Sequence, residues 1–166
     1  MKSVYQYYVE GENERKLVAV LSRDFKHIQS GKIEVFNVVE KRITHSYTRK
    51  LKNNTIVILI FDTDTMNTGI LDSNIKFLSS CSNIKDVLCI PQVYNLEDEL
   101  LRSCNIKNIT EILGSSSQKE FKRDFNNCFD LGKYLEKSGF DFTKLWRKKT
   151  EGKFAGFKST LHKIEL

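Results

Sequence analysis

The stretch Ile56-Val57-Ile58-Leu59-Ile60-Phe61 is apolar without interruption and ends on Asp62-Thr63-Asp64. Asn53-Asn54 breaks the chain just before it. Six apolar residues cannot cross a bilayer, which needs about 20. They suit a central strand of a parallel sheet, buried on both faces, where polar alternation is absent. The rest of the chain must then supply neighbouring strands and helices to cover both faces.

It does so in alternation. Residues 5–9 read as a first strand. Residues 12–29 read as a helix, because Leu17, Val18, Leu21, Phe25 and Ile28 recur at three- and four-residue spacing. Residues 33–39 alternate and read as a second strand, and residues 55–61 form the third. Residues 41–52 are basic and weakly patterned, a short helix or a loop. Residues 67–82 form a helix with Ile70, Leu71, Ile75 and Leu78 on one face, and residues 86–90 a fourth strand that Pro91 ends. Strands alternating with helices imply parallel pairing through right-handed crossovers.

Beyond residue 95 the pattern is helical. Asn95 is an expected N-cap with Asp98 at the third helical position, and Ser117 with Glu120 an expected capping box. The Ser117 helix should turn Phe121, Phe125 and Phe129 inward and Lys119, Lys122 and Arg123 outward. Residues 131–137 and 142–149 read as two more short helices. The expected fold is α/β: a four-stranded, mainly parallel sheet over residues 1–105, flanked by helices, with a helical extension over 106–166 packed on the same domain.

At 166 residues the chain suffices for one domain, and burying about two thirds of its unfolded surface removes the need for a disulfide or zinc staple. Cys81, Cys89, Cys104 and Cys128 lack the paired spacing of a zinc site and are expected as free thiols. Glu10, Glu12 and Glu14 come too early for a signal peptide, so a soluble, cytoplasmic protein without membrane contact is expected. Lys and Arg number 27 against 21 Asp and Glu, a formal charge of +6. That is a mild lean toward polyanionic partners, although a Lys-rich, AT-rich coding background produces the same lean.

The acids are the informative feature. Glu10 ends the first strand, Gly11 makes the turn, and Glu14 falls in the first turn of the following helix. Asp62 ends the third strand, and Asp64 points the same way if the chain is still extended there. In an open parallel sheet, ligands sit beyond the carboxyl ends of the strands, where the winding reverses. With a 2-1-3-4 strand order that point lies between the first and third strands, so Glu10 and Asp62 would face each other about 4.8 Å apart. Carboxylates gathered so closely repel unless a cation intervenes, and a hard divalent ion with oxygen ligands is the natural one.

In these residues, Glu10-Gly11 with Glu14 after one strand and Asp62-x-Asp64 after another, the chain resembles the Toprim domain family over residues 1 to about 105. The second acid at Glu14 is closest to the OLD and RloB-like nuclease branch. The resemblance implies a divalent-metal-dependent endonuclease of DNA or RNA, with two Mg²⁺ or Mn²⁺ ions held by Glu10, Asp62 and Asp64 and with Glu14 helping to hold the second. A downstream acid is also implied, for which Glu97 is the candidate, as is a basic residue at the scissile phosphate, Lys119 or Lys122. A phage-defence or toxin role and a separately encoded ATPase partner are implied by analogy. Gly114-Ser115-Ser116-Ser117-Gln118-Lys119 is no phosphate-binding loop, since the second Gly and the final hydroxyl are missing.

Arg42, Arg49, Lys50 and Lys52, or Arg147, Lys148 and Lys149 beside Trp146, are candidates for a phosphate groove. Two other readings stay open. In a haloacid-dehalogenase-type phosphatase, Asp62 would be a nucleophile; Met66 stands where that signature has Thr or Val, and a complete βαβ unit precedes the motif. A non-catalytic Toprim-like module would bind nucleic acid or protein without cutting.

Overall fold

Four strands, β1 (Val4–Val9), β2 (Lys32–Val35), β3 (Thr55–Asp62) and β4 (Ile84–Gln92), pair side by side in the order β2-β1-β3-β4, all parallel. The computed structural model describes residues 2–166. Helices cover both faces: α1 (Glu12–Ala19), α2 (His45–Thr48), α3 (Gly69–Ser79), α4 (Leu96–Ser103), α5 (Gln118–Asn127) and α6 (Leu131–Lys137). No described helix is long and apolar enough to cross a membrane.

The unbroken apolar run of β3 serves two cores. Ile58 and Ile60 face a cluster with Tyr7, Val9, Leu17, Leu100, Phe125 and Trp146, and Val57, Leu59 and Phe61 face a second with Tyr8, Leu71, Leu78 and Phe154. Each such side chain withdrawn from water contributes about 1.5–3 kcal/mol. The first core also holds Leu131, Leu145, Leu161 and Ile164, so the residues beyond β4 pack on the sheet itself.

The strand order and helical coverage agree with expectation, and all three strand pairings are parallel. Several boundaries differ, each for a local reason. The first helix ends well before residue 29: it widens into a π-helical turn over Val20–Asp24, and Lys26 takes a left-handed backbone (φ 53°) that stops it. β2 is shorter than residues 33–39, because the Asn37 side chain accepts the amides of Val39 and Glu40 and turns the chain. Pro91 does not end β4, which runs on to Gln92. β4 is an edge strand, where a missing N–H is tolerated. That edge is partly covered by Thr160, whose backbone and hydroxyl bond the Cys89 main chain.

The expected helix over residues 142–149 does not form. Trp146 has φ 58°, and its amide donates to the Glu99 carboxylate at 2.9 Å instead of to a helical carbonyl. Asn95 caps α4 by accepting the Asp98 amide at 3.0 Å, as expected. Ser117 caps α5 by accepting the Glu120 amide at 3.1 Å, but the Glu120 carboxylate turns to the Ser116 hydroxyl, so the box is half formed. All four cysteines are free and half-buried.

Phe121 and Phe125 are buried as expected, whereas Phe129 is 96% exposed, because α5 ends at Asn127 and the helical phase is lost. The two phenylalanines should therefore respond oppositely to truncation. Phe125→Ala should cost about 3–5 kcal/mol in a denaturant titration, and Phe129→Ala less than about 0.5 kcal/mol.

Candidate functional site

The winding reverses between β1 and β3, and the acids lie at that point. Val9 pairs with Ile60, so the next residue, Glu10, emerges beside the end of β3. Its Oε2 accepts the Asp62 backbone amide at 2.9 Å, joining the two strand ends. Asp62 pairs in turn with Gln92, whose Nε2 donates to Asp62 Oδ1 at 2.7 Å and, at 3.4 Å, to Glu14 Oε1. Gln92 thus ties Asp62 to the first turn of α1. The Gly11 backbone is extended, so it is not φ that favours glycine there. A Cβ at that position would come within 3.0 Å of Glu14 Oε2, and glycine leaves that space to the carboxylate.

These residues surround a cavity of about 210 Å³ lined by Glu10, Gly11, Glu14, Asp62, Glu97 and Lys122, among others. Glu14 is buried, and Glu10 and Asp62 are half-buried. Burial, with Glu10 and Glu14 close by, pushes the Asp62 carboxyl up to about 8. Burial raises Glu10 and Glu14 as well. For Glu10 the Asp62 amide opposes the rise, and for Glu14 the Gln92 side chain does.

Asp64 is exposed and does not line the cavity, although its charge acts on both Glu10 and Asp62. Glu97 does line it, from the first turn of α4, and pairs with Lys122 Nζ at 3.0 Å. Lys122 reaches the site because Asn13 of α1 donates to the Lys122 carbonyl and to the Asn126 side chain, docking α5 beside α1. Lys119 stands exposed on α5 outside the cavity, so of the two candidate lysines the structure brings only Lys122 to the acids.

Gln92, Trp146 and Glu99 are tied to the acid cluster in a way that no sequence pattern above indicates. Gln92 Oε1 accepts the Trp146 indole N–H at 3.2 Å while its amide nitrogen serves Asp62. Glu99 is fully buried. It accepts the Val93 amide at 2.8 Å through Oε1, the Trp146 amide at 2.9 Å through Oε2, and pairs with Arg102 at 2.8 Å. The available signal was Gln92 itself, a polar residue closing an apolar strand as Glu10 and Asp62 close theirs. Reading Pro91 as the strand's end concealed it.

The donors suit a hard cation: carboxylate oxygens in a poorly solvated pocket. Asp62 Oδ2 has no hydrogen-bond partner among the described residues. Among those residues, however, no group of three or more His, Cys, Asp or Glu stands ready as a ligand set. The chain matches no family model, no curated protein and no solved structure.

The raised Asp62 carboxyl gives a signed expectation. The fold holds the proton more tightly than the unfolded chain, whose carboxyl has its ordinary value of 3.8. In chelator, the contribution of Asp62 to stability is therefore greatest at low pH and falls as pH rises from about 4 to about 8. Asp62→Asn keeps the shape and removes the charge. It should melt several degrees above the parent at pH 8, with the gap closing toward pH 4; a parent at least as stable as the variant at pH 8 would contradict this electrostatic picture.

Proposed function

We propose that this chain is a divalent-metal-dependent nucleic-acid endonuclease of the Toprim type, hydrolysing phosphodiester bonds at the Glu10–Asp62 site. The observation that carries this reading is the meeting of Glu10 and Asp62 from adjacent parallel strands at the switch point, with Glu14 joined to them through Gln92. Glu10, Glu14 and Asp62 withdrawn together into one partly buried cavity are a costly arrangement for a fold to keep, and a cation would offset that cost.

Glu10 and Asp62 are the residues that would hold Mg²⁺ or Mn²⁺. Glu14, which lines the same cavity, would help to hold a second ion and Glu97 would give a supporting contact, whereas Asp64, exposed outside the cavity, would act through its charge. Ions bound there supply Lewis-acid activation of water and neutralisation of the leaving oxyanion. The protein's own part is electrostatic and positional. The Glu10 bond to the Asp62 amide fixes the separation of the two strand ends. Gln92 holds the Asp62 carboxylate by one oxygen and leaves the other free. Lys122, exposed beyond its pair with Glu97, presents positive charge to a phosphate at the cavity mouth.

Cleavage of plasmid DNA or of RNA should require Mg²⁺ or Mn²⁺ and stop in EDTA. Glu10→Ala and Asp62→Ala should each lower the rate at least about 100-fold while remaining folded by circular dichroism. Cutting that persists in EDTA would overturn the reading. Hydrolysis of a phosphate monoester without strand cutting would favour the phosphatase, and binding without either activity would favour a non-catalytic module.

A further inference from the structure

The segment that does not form a helix contributes to a positively charged cavity beside the end of β4. Arg147, Lys148, Lys149 and Lys158 line a cavity of about 390 Å³ with Pro91 and Thr150, and no acidic side chain lines it. Arg147 is paired with Glu165, whereas Lys148, Lys149 and Lys158 form no salt bridge among the described residues. On α5, by contrast, Lys122 is paired with Glu97, and Arg123 with Glu120 and Asp124.

This cavity lies at the carboxyl end of β4. Pro91 pairs with Phe61, one position before Gln92 pairs with Asp62. Tyr94 stands beside it, 50% exposed, with Lys148 Nζ 5.6 Å from the ring centroid. The Tyr94 carbonyl accepts the Thr63 amide at 2.8 Å, which fixes the tyrosine next to the Asp62-Thr63-Asp64 turn. Glu99 holds both arms of the arrangement, since its two oxygens take the amides of Val93, just before Tyr94, and of Trp146, just before Arg147.

We propose that Tyr94 and the cavity of Lys148, Lys149 and Lys158 form a track for single-stranded nucleic acid leading to the carboxylates, with backbone phosphates against the lysines and one base stacked on Tyr94. The inference rests on the nuclease reading and specifies its substrate as a single strand. Unpaired cations recruit phosphates by releasing condensed counterions. An exposed aromatic ring beside them adds affinity only for a base whose face is free, which a single strand offers and a stacked duplex does not. An acidic peptide would satisfy the lysines and leave the ring unused.

The test is binding of short fluorescent oligonucleotides in EDTA, where no cutting occurs, across a salt series and with melting curves for every variant. The parent should prefer single strands to duplex. Lys149→Ala and Lys158→Ala should each reduce the log–log salt slope by about 0.7. Tyr94→Ala should weaken single-strand binding about 5- to 100-fold, Tyr94→Phe should retain it, and Lys133→Ala, on the outer face of α6, should match the parent. Equal binding by the parent and the Tyr94 and lysine variants, a preference for duplex, or displacement of the strand by polyglutamate as readily as by unlabelled strand would each overturn the track. The nuclease reading would survive those results if metal-dependent, Glu10-dependent cutting persisted, and would fail separately if that cutting were absent.

Discussion

The hydrogen bond from the Asp62 amide to the Glu10 carboxylate is the link on which the arrangement of the acids depends. It joins the ends of β1 and β3 at the one place where the winding of the sheet changes direction. A carboxylate half-withdrawn from water needs donors, and here the donor is the main chain of the next strand. The acids are therefore aligned by the register of a parallel sheet, whose position is fixed by the two cores packed against β3. Precision at the site comes from the register of the sheet, and the carboxylates gathered there are what the proposed cation would neutralise.

A second layer of polar contacts extends this order to the far end of the chain. Gln92 divides its amide group between Asp62 and the Trp146 indole, and Glu99 closes the circuit through the amides of Val93 and Trp146. Buried polar groups are tolerated when each finds a partner; the side chains of Gln92 and Glu99 find theirs, while among the described residues Arg102 Nε is buried without one. The residues after α6 are thus held against the sheet by the same groups that orient Asp62. Removing Arg102 would leave the fully buried Glu99 carboxylate with its two amide donors but without its counter-charge.

How much of this was legible in the sequence follows from how local each signal is. The continuous apolar run of β3 and the acids at the ends of β1 and β3 are patterns within a few residues, and they revealed the strand order and the meeting of Glu10 with Asp62. The Asn95 and Ser117 caps are equally local. Phe129 was misplaced because helical spacing was carried past the end of α5. The segment 142–149 was misread because the apolar spacing of Phe142, Leu145 and Trp146 suits a helix. What prevents one is Glu99, which takes the Trp146 amide from 47 positions away. Gln92 was hidden by Pro91, whose strand-breaking effect vanishes at a sheet edge. Lys119 and Lys122, three residues apart on one helix, differ in reaching the acids because of how α5 docks beside α1, where Asn13 bonds the Lys122 carbonyl and Asn126.

The central claim is that the Glu10–Asp62 pair is built to hold a divalent cation. The most direct measurement is a crystal structure grown with Mn²⁺ near pH 8, using anomalous scattering to locate the metal. An anomalous peak within coordination distance of both Glu10 and Asp62, about 2.0–2.3 Å from their oxygens, is the predicted result. A well-ordered site with both carboxylates in place and no anomalous density between them would contradict the account.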